Sequence, residues 1–226
     1  MPKKITRQEI YELFSRAGYR SPAHGLVLEI APAIIAAAWE GRNGPAGHPL
    51  QQGPYKEPQL VIYLDDYATG GAGMILVPAQ EAIDKYPGNY CSEYLHGGAE
   101  AGASEVIRQL QIGNRRWLLK YQSANTTWGT DLAEREAMVL FEQEPAYMAE
   151  IPYAVWAVDF IQVPGYGFLA VDFTLAPSTE AVEKLIGAEM VAMLEAEGRN
   201  HFRLSRNCST PPFLSPGMQI VLVKNS

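Results

Sequence analysis

Apolar residues in the first part of the chain recur at helical spacing. Thr6-Arg7-Gln8-Glu9 is a capping-box sequence, and apolar positions three and four residues apart follow it until Gly18. A second helix is predicted over residues 32–40, where the sequence is rich in alanine. Residues 42–58 contain several prolines and glycines and are predicted to form a long loop. The chain is therefore expected to begin with helices and a loop.

From residue 59 the pattern changes to short alternating runs bounded by turn residues, which predicts strands. Because hairpin-like turns join these runs, we expect an α+β fold with a mainly antiparallel sheet and packed helices. The predicted strands are 60–64, 74–77, 90–95, 106–110, 117–121, 153–161 and 168–175, and the predicted helices are 79–86, 132–141 and 178–197, the last ending at Gly198.

This pattern divides the chain into three expected parts. Residues 1–58 form an N-terminal helical and loop segment, and residues 59–198 form the α+β domain. Residues 199–226 form a basic C-terminal tail with a final strand at 219–223.

Composition narrows the function classes. The net charge of −7 opposes the general attraction of nucleic-acid binders to phosphate, so nucleic acid is not an expected partner. The apolar stretch at residues 33–39 is far shorter than the about 20 residues that span a bilayer, and no apolar leader opens the chain. Cys91 and Cys208 do not have the spacing of a metal–thiolate motif. We expect a cytoplasmic protein with no membrane partner and two free thiols.

Two predicted strands, 153–161 and 168–175, each carry one carboxylate in a clean alternation of residues. An even-numbered loop between them would place Asp159 and Ile161 on one sheet face with Ala170, Asp172 and Thr174. Neighbouring like charges are stable chiefly when a cation or a proton lies between them. The pattern favours a divalent-metal site made by Asp159, Asp172 and Thr174. The alternative is a solvent-facing sheet surface with ordinary polar residues.

A glycine cluster lies in the predicted turn after strand 60–64. Clustered glycines let backbone amides approach a phosphate closely, and a threonine hydroxyl can add a donor. Glycine-rich turns also commonly serve only to reverse the chain. The candidate phosphate-binding residues are Thr69, Gly70, Gly71 and Gly73.

Arg108 and Lys120 lie on two consecutive predicted strands. The guanidinium of Arg108 can present two parallel donors to a phosphate or carboxylate, and Lys120 can add a second positive charge. The alternative for both is an ordinary surface charge.

Taken in order, these segments resemble the ATP-grasp superfamily of carboxylate–amine ligases, especially its peptide-ligase-like branch, over about residues 60–197. Residues 68–74 look like the family's glycine-rich hairpin over the nucleotide phosphates. Residues 90–95 resemble the segment that reaches the nucleotide base, with Glu93 at the usual acidic position. Residues 108–116 look like the family's arginine-bearing strand and the turn after it.

The resemblance implies an ATP-dependent ligase that works through an acyl phosphate, with ATP and Mg²⁺ as cofactors. Its substrates would be a small-molecule or peptide carboxylate and an amine. Asp159, Asp172 and Thr174 would contact the metal, and Arg108 would be catalytic.

Three departures from the family pattern keep a second interpretation open. Residues 61–64 lack the lysine that usually precedes the glycine-rich hairpin, and Asp172 and Thr174 replace a glutamate and an asparagine. Only about 58 residues precede the α+β domain, too few for the family's usual N-terminal domain. The alternative is a non-catalytic interaction or structural protein that forms a homo-oligomer or binds a partner in a larger assembly, such as a viral particle.

Overall fold

A computed structural model describes residues 4–50, 55–67, 73–96, 104–123, 136–143, 145–148 and 150–205. These residues form five helices and nine strands in two sheets. The elements in chain order are α1 (Arg7–Arg16), β1 (His24–Leu26), α2 (Val27–Trp39), β2 (Gln59–Tyr63), β3 (Met74–Pro78), α3 (Ala79–Lys85), β4 (Tyr90–Glu93), β5 (Ser104–Ile112), β6 (Arg115–Ser123), β7 (Glu136–Gln143), β8 (Val155–Val163), β9 (Gly167–Thr174), α4 (Glu180–Ile186) and α5 (Ala188–Ser205).

Both sheets are antiparallel. The first sheet has the strand order β1-β4-β2-β3, and the second has the order β7-β6-β5-β8-β9. The predicted α+β fold with antiparallel sheets and packed helices is confirmed.

Helix α1 lies in an apolar layer shared by the two sheets. Its residues Ile10 and Phe14 pack in one cluster with Val61 of β2 and with Val158 and Phe160 of β8. Helices α2 and α3 cover the other face of the first sheet, and α4 and α5 cover the other face of the second sheet. Each large apolar side chain buried in these layers contributes about 1.5–3 kcal/mol to the free energy of unfolding.

The start of α1 follows from its capping box, as predicted. The Thr6 amide donates to Glu9 Oε2 at 2.8 Å, and the Glu9 amide donates to Thr6 Oγ1 at 3.2 Å. These bonds satisfy donors that have no partner within the first turn of a helix. Helix α2 begins at Val27, earlier than predicted, and contains Pro32 in its interior.

Two predictions about helices are wrong. Residues 132–141 were expected to be helical, but Glu136–Gln143 is strand β7, which pairs with β6. Its sequence suits a helix by intrinsic propensity, and cross-strand pairing with β6 overrides that preference. The helix expected over 178–197 is divided at Gly187, where φ is +85°, and α5 continues past Gly198 to Ser205.

Gly198 is needed for packing rather than for ending the helix. A Cβ atom there would lie 2.9 Å from the Cα of Gly113, which is in the β5–β6 turn. A side chain would therefore push α5 away from the second sheet. The expected strand at 219–223 lies outside the described residues. Within the described ranges, no helix has both the length and the hydropathy to cross a bilayer.

Candidate functional site

A row of charged side chains crosses three adjacent strands of the second sheet. The β5–β8 pairing sets Arg108 opposite Asp159, and the β8–β9 pairing sets Asp159 opposite Asp172. Arg108 and Asp159 are almost fully buried, at 8% and 9% exposed. Arg108 precedes Leu110 by two residues, so it shares the sheet face on which Leu110 packs with α4 and α5. We call Arg108, Asp159 and Asp172 the charged row.

Arg108 and Asp159 form a two-pronged ion pair. Arg108 Nε donates to Asp159 Oδ1 at 2.6 Å, and Nη2 donates to Oδ2 at 2.8 Å. The guanidinium carbon also lies 4.9 Å from the centre of the Tyr121 ring. Burial alone would lower the pKa of Arg108, but the hydrogen bonds and the charge of Asp159 raise it well above its ordinary value. Asp159 therefore holds the buried Arg108 in its charged form.

Asp172 is held by a second arginine, which comes from α1. Arg7 Nη1 donates to Asp172 Oδ1 at 2.7 Å, and the Phe173 amide donates to the same oxygen at 2.9 Å. The Arg7 side chain is 2% exposed and that of Asp172 is 30% exposed. The neighbouring carboxylates of the charged row thus each have a cation, as their proximity requires, and each of these cations is a guanidinium.

The pairing confirms one part of the predicted face and corrects another. Asp159 and Asp172 are direct partners, as expected for carboxylates on one face. The expected even-numbered loop is wrong, because Val163 pairs with Gly167 across a three-residue turn, and Ala170 therefore pairs with Phe160. The register shift of one residue between Asp159 and Phe160 then brings Asp172 opposite Asp159. This shift is a β-bulge, and Val171 is its extra residue, without a partner on β8. Bulges of this kind often lie beside active sites and re-aim side chains there.

Thr174, the third predicted metal ligand, lies on the same strand two residues after Asp172. It pairs with Ala157, and its Oγ1 accepts a hydrogen bond from the Ala176 amide at 3.2 Å. Strand alternation therefore places a hydroxyl beside the two carboxylates.

The structure separates Lys120 from the charged row. Leu119 is the β6 residue opposite Arg108, and Lys120 is opposite Ile107. Because side chains alternate along a strand, Lys120 lies on the other face of the sheet, toward α1.

Only part of the predicted phosphate-binding turn can be placed. Gly73 has φ of +71°, which favours glycine, and its carbonyl accepts a hydrogen bond from the Leu64 amide at 2.8 Å. The other predicted residues of this turn lie outside the described part of the chain: Thr69, Gly70 and Gly71.

Glu93 lies on strand β4, with its side chain on the face of the first sheet that α2 and α3 cover. It pairs with Leu60, which packs in the cluster of α2 and α3. The side chain is 2% exposed, and its Oε2 lies 3.1 Å from Nε2 of the fully buried His48. His48 Nδ1 lies 3.0 Å from the carbonyl oxygen of Pro49.

The protonation of His48 depends on this contact. Burial alone would lower the pKa of His48, but Glu93 and the Pro49 carbonyl raise it above its ordinary value. His48 Nε2 and Glu93 Oε2 are in ion-pair contact, although they do not meet in hydrogen-bond geometry. The raised pKa favours the protonated imidazole, whose positive charge lies beside the Glu93 side chain.

Asp159 and Asp172 of the charged row, with Thr174 two residues after Asp172, offer the kind of oxygen donors that bind magnesium. Magnesium is bound by oxygen atoms and usually keeps several water ligands. Across the parts of the chain that the structure describes, no three His, Cys, Asp or Glu side chains converge on one point. An ion there would depend on water and a bound substrate for its remaining ligands.

Comparison with known proteins finds similarity in structure only. No protein-family model matches the chain, and no curated protein matches it in sequence. D-cycloserine synthetase DcsG is similar over 88% of this chain and 70% of its own, with 9% identity and a TM-score of 0.52. A RiPP-associated ATP-grasp ligase from Chryseobacterium gregarium, in complex with ADP and a leader and core peptide, has 11% identity over 86% of this chain, with a TM-score of 0.48.

A third similar structure is a RimK domain ATP-grasp protein from Sphaerobacter thermophilus, with 16% identity over 86% of this chain and 66% of its own, and a TM-score of 0.45. The chain has an ATP-grasp fold. It spans 58% of the length of the Chryseobacterium ligase. At these identities the ATP-grasp likeness concerns the fold, and the chemistry must be argued from the residues of this chain.

Sequence reasoning missed two members of this ATP-grasp structure, Arg7 and His48. A signal for Arg7 was present, because it lies three residues before Ile10 and four before Tyr11, on the side of α1 that is buried. A polar residue on an apolar helix face needs a buried partner. No comparable pattern in the sequence pointed to His48, which lies in an irregular loop.

Proposed function

We propose that this protein is an ATP-dependent carboxylate–amine ligase whose charged row lies at the metal and phosphate end of the site. The observation that carries this proposal is the alignment of Arg108, Asp159 and Asp172 in one cross-strand row. The guanidinium of Arg108 can donate two parallel hydrogen bonds, and the carboxylate oxygens of Asp159 and Asp172 beside it can bind a metal. These groups together suit a ligand that carries both phosphate and a divalent cation.

Asp159, Asp172 and Thr174 would hold Mg²⁺, and Arg108 would contact a phosphate oxygen or the substrate carboxylate. Bound Mg²⁺ would neutralise the charge on the transferring phosphate. The protein groups would orient the phosphate and the acid, which is the larger part of what a protein contributes to phosphoryl transfer. The reaction would convert the acid to an acyl phosphate, which the amine then attacks.

The ion pairs of the charged row are compatible with this function because they can be exchanged. Breaking a buried pair is costly when it leaves one charge alone. A ligand that brings both phosphate and Mg²⁺ supplies an anion for Arg108 and a cation for Asp159 at the same time. Every buried charge then keeps a partner of opposite sign.

We extend the proposal to the other expected contacts. Gly73, with Thr69, Gly70 and Gly71, would cover the phosphates. The side chain of Glu93 lies on the face of the first sheet that α2 and α3 cover. Residues 90–95 would therefore reach a nucleotide through their backbone. The substrates would be a small-molecule or peptide acid and an amine.

A second candidate is a non-catalytic ATP-grasp protein that acts by binding a partner or a second copy. The observation that favours it is the Arg7–Asp172 pair, in which a buried arginine from α1 already neutralises the second carboxylate. Strand β2 adds to this argument, because Val61, Ile62 and Tyr63 are buried and none of them offers a positive charge.

Calorimetric titration with a non-hydrolysable ATP analogue, with and without Mg²⁺, tests the proposal. We expect Mg²⁺-dependent binding that is weakened at least tenfold by Asp159→Asn and by Asp172→Asn. Glu142→Gln is the matched control, because Glu142 is a carboxylate in an arginine pair at the surface. Absence of binding at millimolar analogue by the folded protein would contradict the ligase proposal. A dimer or a captured partner would then support the second candidate.

A further inference from the structure

Arg116 is a buried cation on the opposite face of the second sheet from the charged row. It lies on β6 opposite Gln111, and Gln111 lies opposite Trp156 of β8. Arg116 is 2% exposed, and its guanidinium carbon lies 5.7 Å from the centre of the Trp156 ring. The ligase proposal makes no use of this side chain.

The guanidinium is satisfied on only one side. Arg116 Nε donates to Gln111 Oε1 at 2.7 Å. Nη2 is buried and has no hydrogen-bond partner, and no hydrogen bond from Nη1 to a described residue is present. The free edge of the guanidinium is the one with two parallel donors, whose geometry matches the two oxygens of a carboxylate or phosphate.

The glutamine that binds Arg116 is itself fixed by hydrogen bonds, so loose packing of Gln111 does not explain the free edge. Gln111 Nε2 donates to the carbonyl oxygens of Gly113 and Ala146, at 2.7 and 2.8 Å. These two bonds fix the amide so that its oxygen faces Arg116 Nε. Nearby, Tyr19 donates to Gln109, which donates to Gln143, at 2.5 and 2.9 Å.

Arg116 also has no counter-ion among the described residues. Arg7, Arg108 and Arg115 each form an ion pair with a carboxylate, whereas none pairs with Arg116. Burial lowers the pKa of Arg116, with an opposing effect from Tyr19. A buried guanidinium without an anion is costly, and a bound anion removes that cost.

We infer that the free edge of Arg116 binds an oxyanion, a carboxylate or a phosphate group, at a site separate from the charged row. The indole of Trp156 lies beside the guanidinium, and Gln111 holds its orientation. The site recognises the pair of oxygens on the anion and therefore discriminates against chloride, which cannot accept two parallel hydrogen bonds in this way.

Thermal unfolding at constant pH and ionic strength tests the inference, with chloride replaced stepwise by sodium formate in one series and by sodium phosphate in another. We expect the melting temperature of the wild type to rise with oxyanion concentration, because a ligand that binds only the native state stabilises it. The series that gives the larger rise identifies the class of oxyanion.

The matched pair of variants is Arg116→Gln and Arg115→Gln. Arg115 is the adjacent residue, but it is partly exposed and paired with Glu142. We expect Arg115→Gln to keep the oxyanion effect and Arg116→Gln to weaken apparent binding at least tenfold. Arg116→Lys, which keeps the charge but loses the two-donor edge, is expected to lose most of the effect and serves if the glutamine variant does not fold.

Two outcomes would overturn the inference. One is a wild-type melting temperature that does not differ between chloride, formate and phosphate. The other is an equal rise in the wild type and in the folded Arg116 variants, which would show a general salt effect. Neither outcome depends on nucleotide binding, so the ligase proposal can fail or succeed independently.

Discussion

Two arginines on adjacent strands of the second sheet are buried in different ways. Arg108, on the face toward α4 and α5, is paired with Asp159 through two hydrogen bonds. Arg116, on the face toward α1, donates to the neutral amide of Gln111 and has no carboxylate partner among the described residues. In the part of the chain that the structure describes, Arg108 thus has a carboxylate partner and Arg116 has none. The comparison separates a cation that would exchange its anion when a ligand binds from one that has no anion to exchange.

Removal of the carboxylate that pairs with Arg108 is expected to have the largest effect. Asp159→Asn leaves Arg108 buried without a charged partner, which costs about 3–5 kcal/mol of the free energy of unfolding. Urea unfolding measures this loss. The double variant Arg108→Gln, Asp159→Asn is expected to recover part of it, since no charge then remains unpaired. A double variant that is less stable by the sum of the two single losses would show that the residues do not interact.

The Arg7–Asp172 pair is expected to contribute less, because Asp172 is partly exposed. Arg7→Gln removes a hydrogen bond between charged groups, which costs about 1.5–3 kcal/mol by urea unfolding. It also frees Asp172 toward solvent. If the ligase proposal is right, this variant keeps Mg²⁺-dependent binding of the ATP analogue. Stability equal to that of the wild type would show that the ion pair is not formed in solution.

His48 and Glu93 extend the comparison to a pair whose charge depends on a proton. Because the pKa of His48 is raised in the folded state, its contribution to stability is complete below the ordinary pKa near 6.5 and is lost as pH rises through the folded value. The slope is at most about 1.4 kcal/mol per pH unit for one proton.

The measurement is urea unfolding from pH 5.5 to 9 for the wild type and for His48→Gln. We expect the stability difference between wild type and variant to fall with rising pH in that window. A difference that grows with pH would show that His48 is neutral in the native state.

The surface pair Arg115–Glu142 is expected to have the smallest effect. Its side chains are 28% and 32% exposed, and exposed pairs contribute about 0–1 kcal/mol. Glu142→Gln should therefore change the urea midpoint very little. A loss as large as that of Asp159→Asn would mean that burial is not what distinguishes the two pairs.

Much of the fold was predictable because local signals and tertiary packing agree. The capping box at Thr6 gave the start of α1, and the alternation around Asp159 gave strand β8 with nearly its observed bounds. Strand β7 was not predictable in this way, because its residues favour a helix and only the pairing with β6 makes them a strand.

The candidate site shows the same limit. Alternation and an even-numbered loop were expected to bring Asp159 and Asp172 to one face, but they are partners because a bulge offsets a three-residue turn. The arginine that binds Asp172 comes from a segment 165 residues away in sequence. Alternation along one strand carries no information about a helix that packs against its edge. The bulge at Val171 was also hidden, because the alternation of Leu169, Val171 and Phe173 continues through it without a break in the sequence.

The extra residue of that bulge, Val171, is encoded by a single codon. Deleting the Val171 codon would leave an uninterrupted ladder in which Asp172 still faces Asp159 and Ala170 still faces Phe160. Deleting a codon between Phe168 and Ala170 would instead draw Val171 into the ladder opposite Phe160, and the residues between the deleted position and Val171 would change sheet face. The edge strand β9 therefore has one position, Val171, at which a residue can be deleted without changing the partner of any other residue. This position lies next to the charged row.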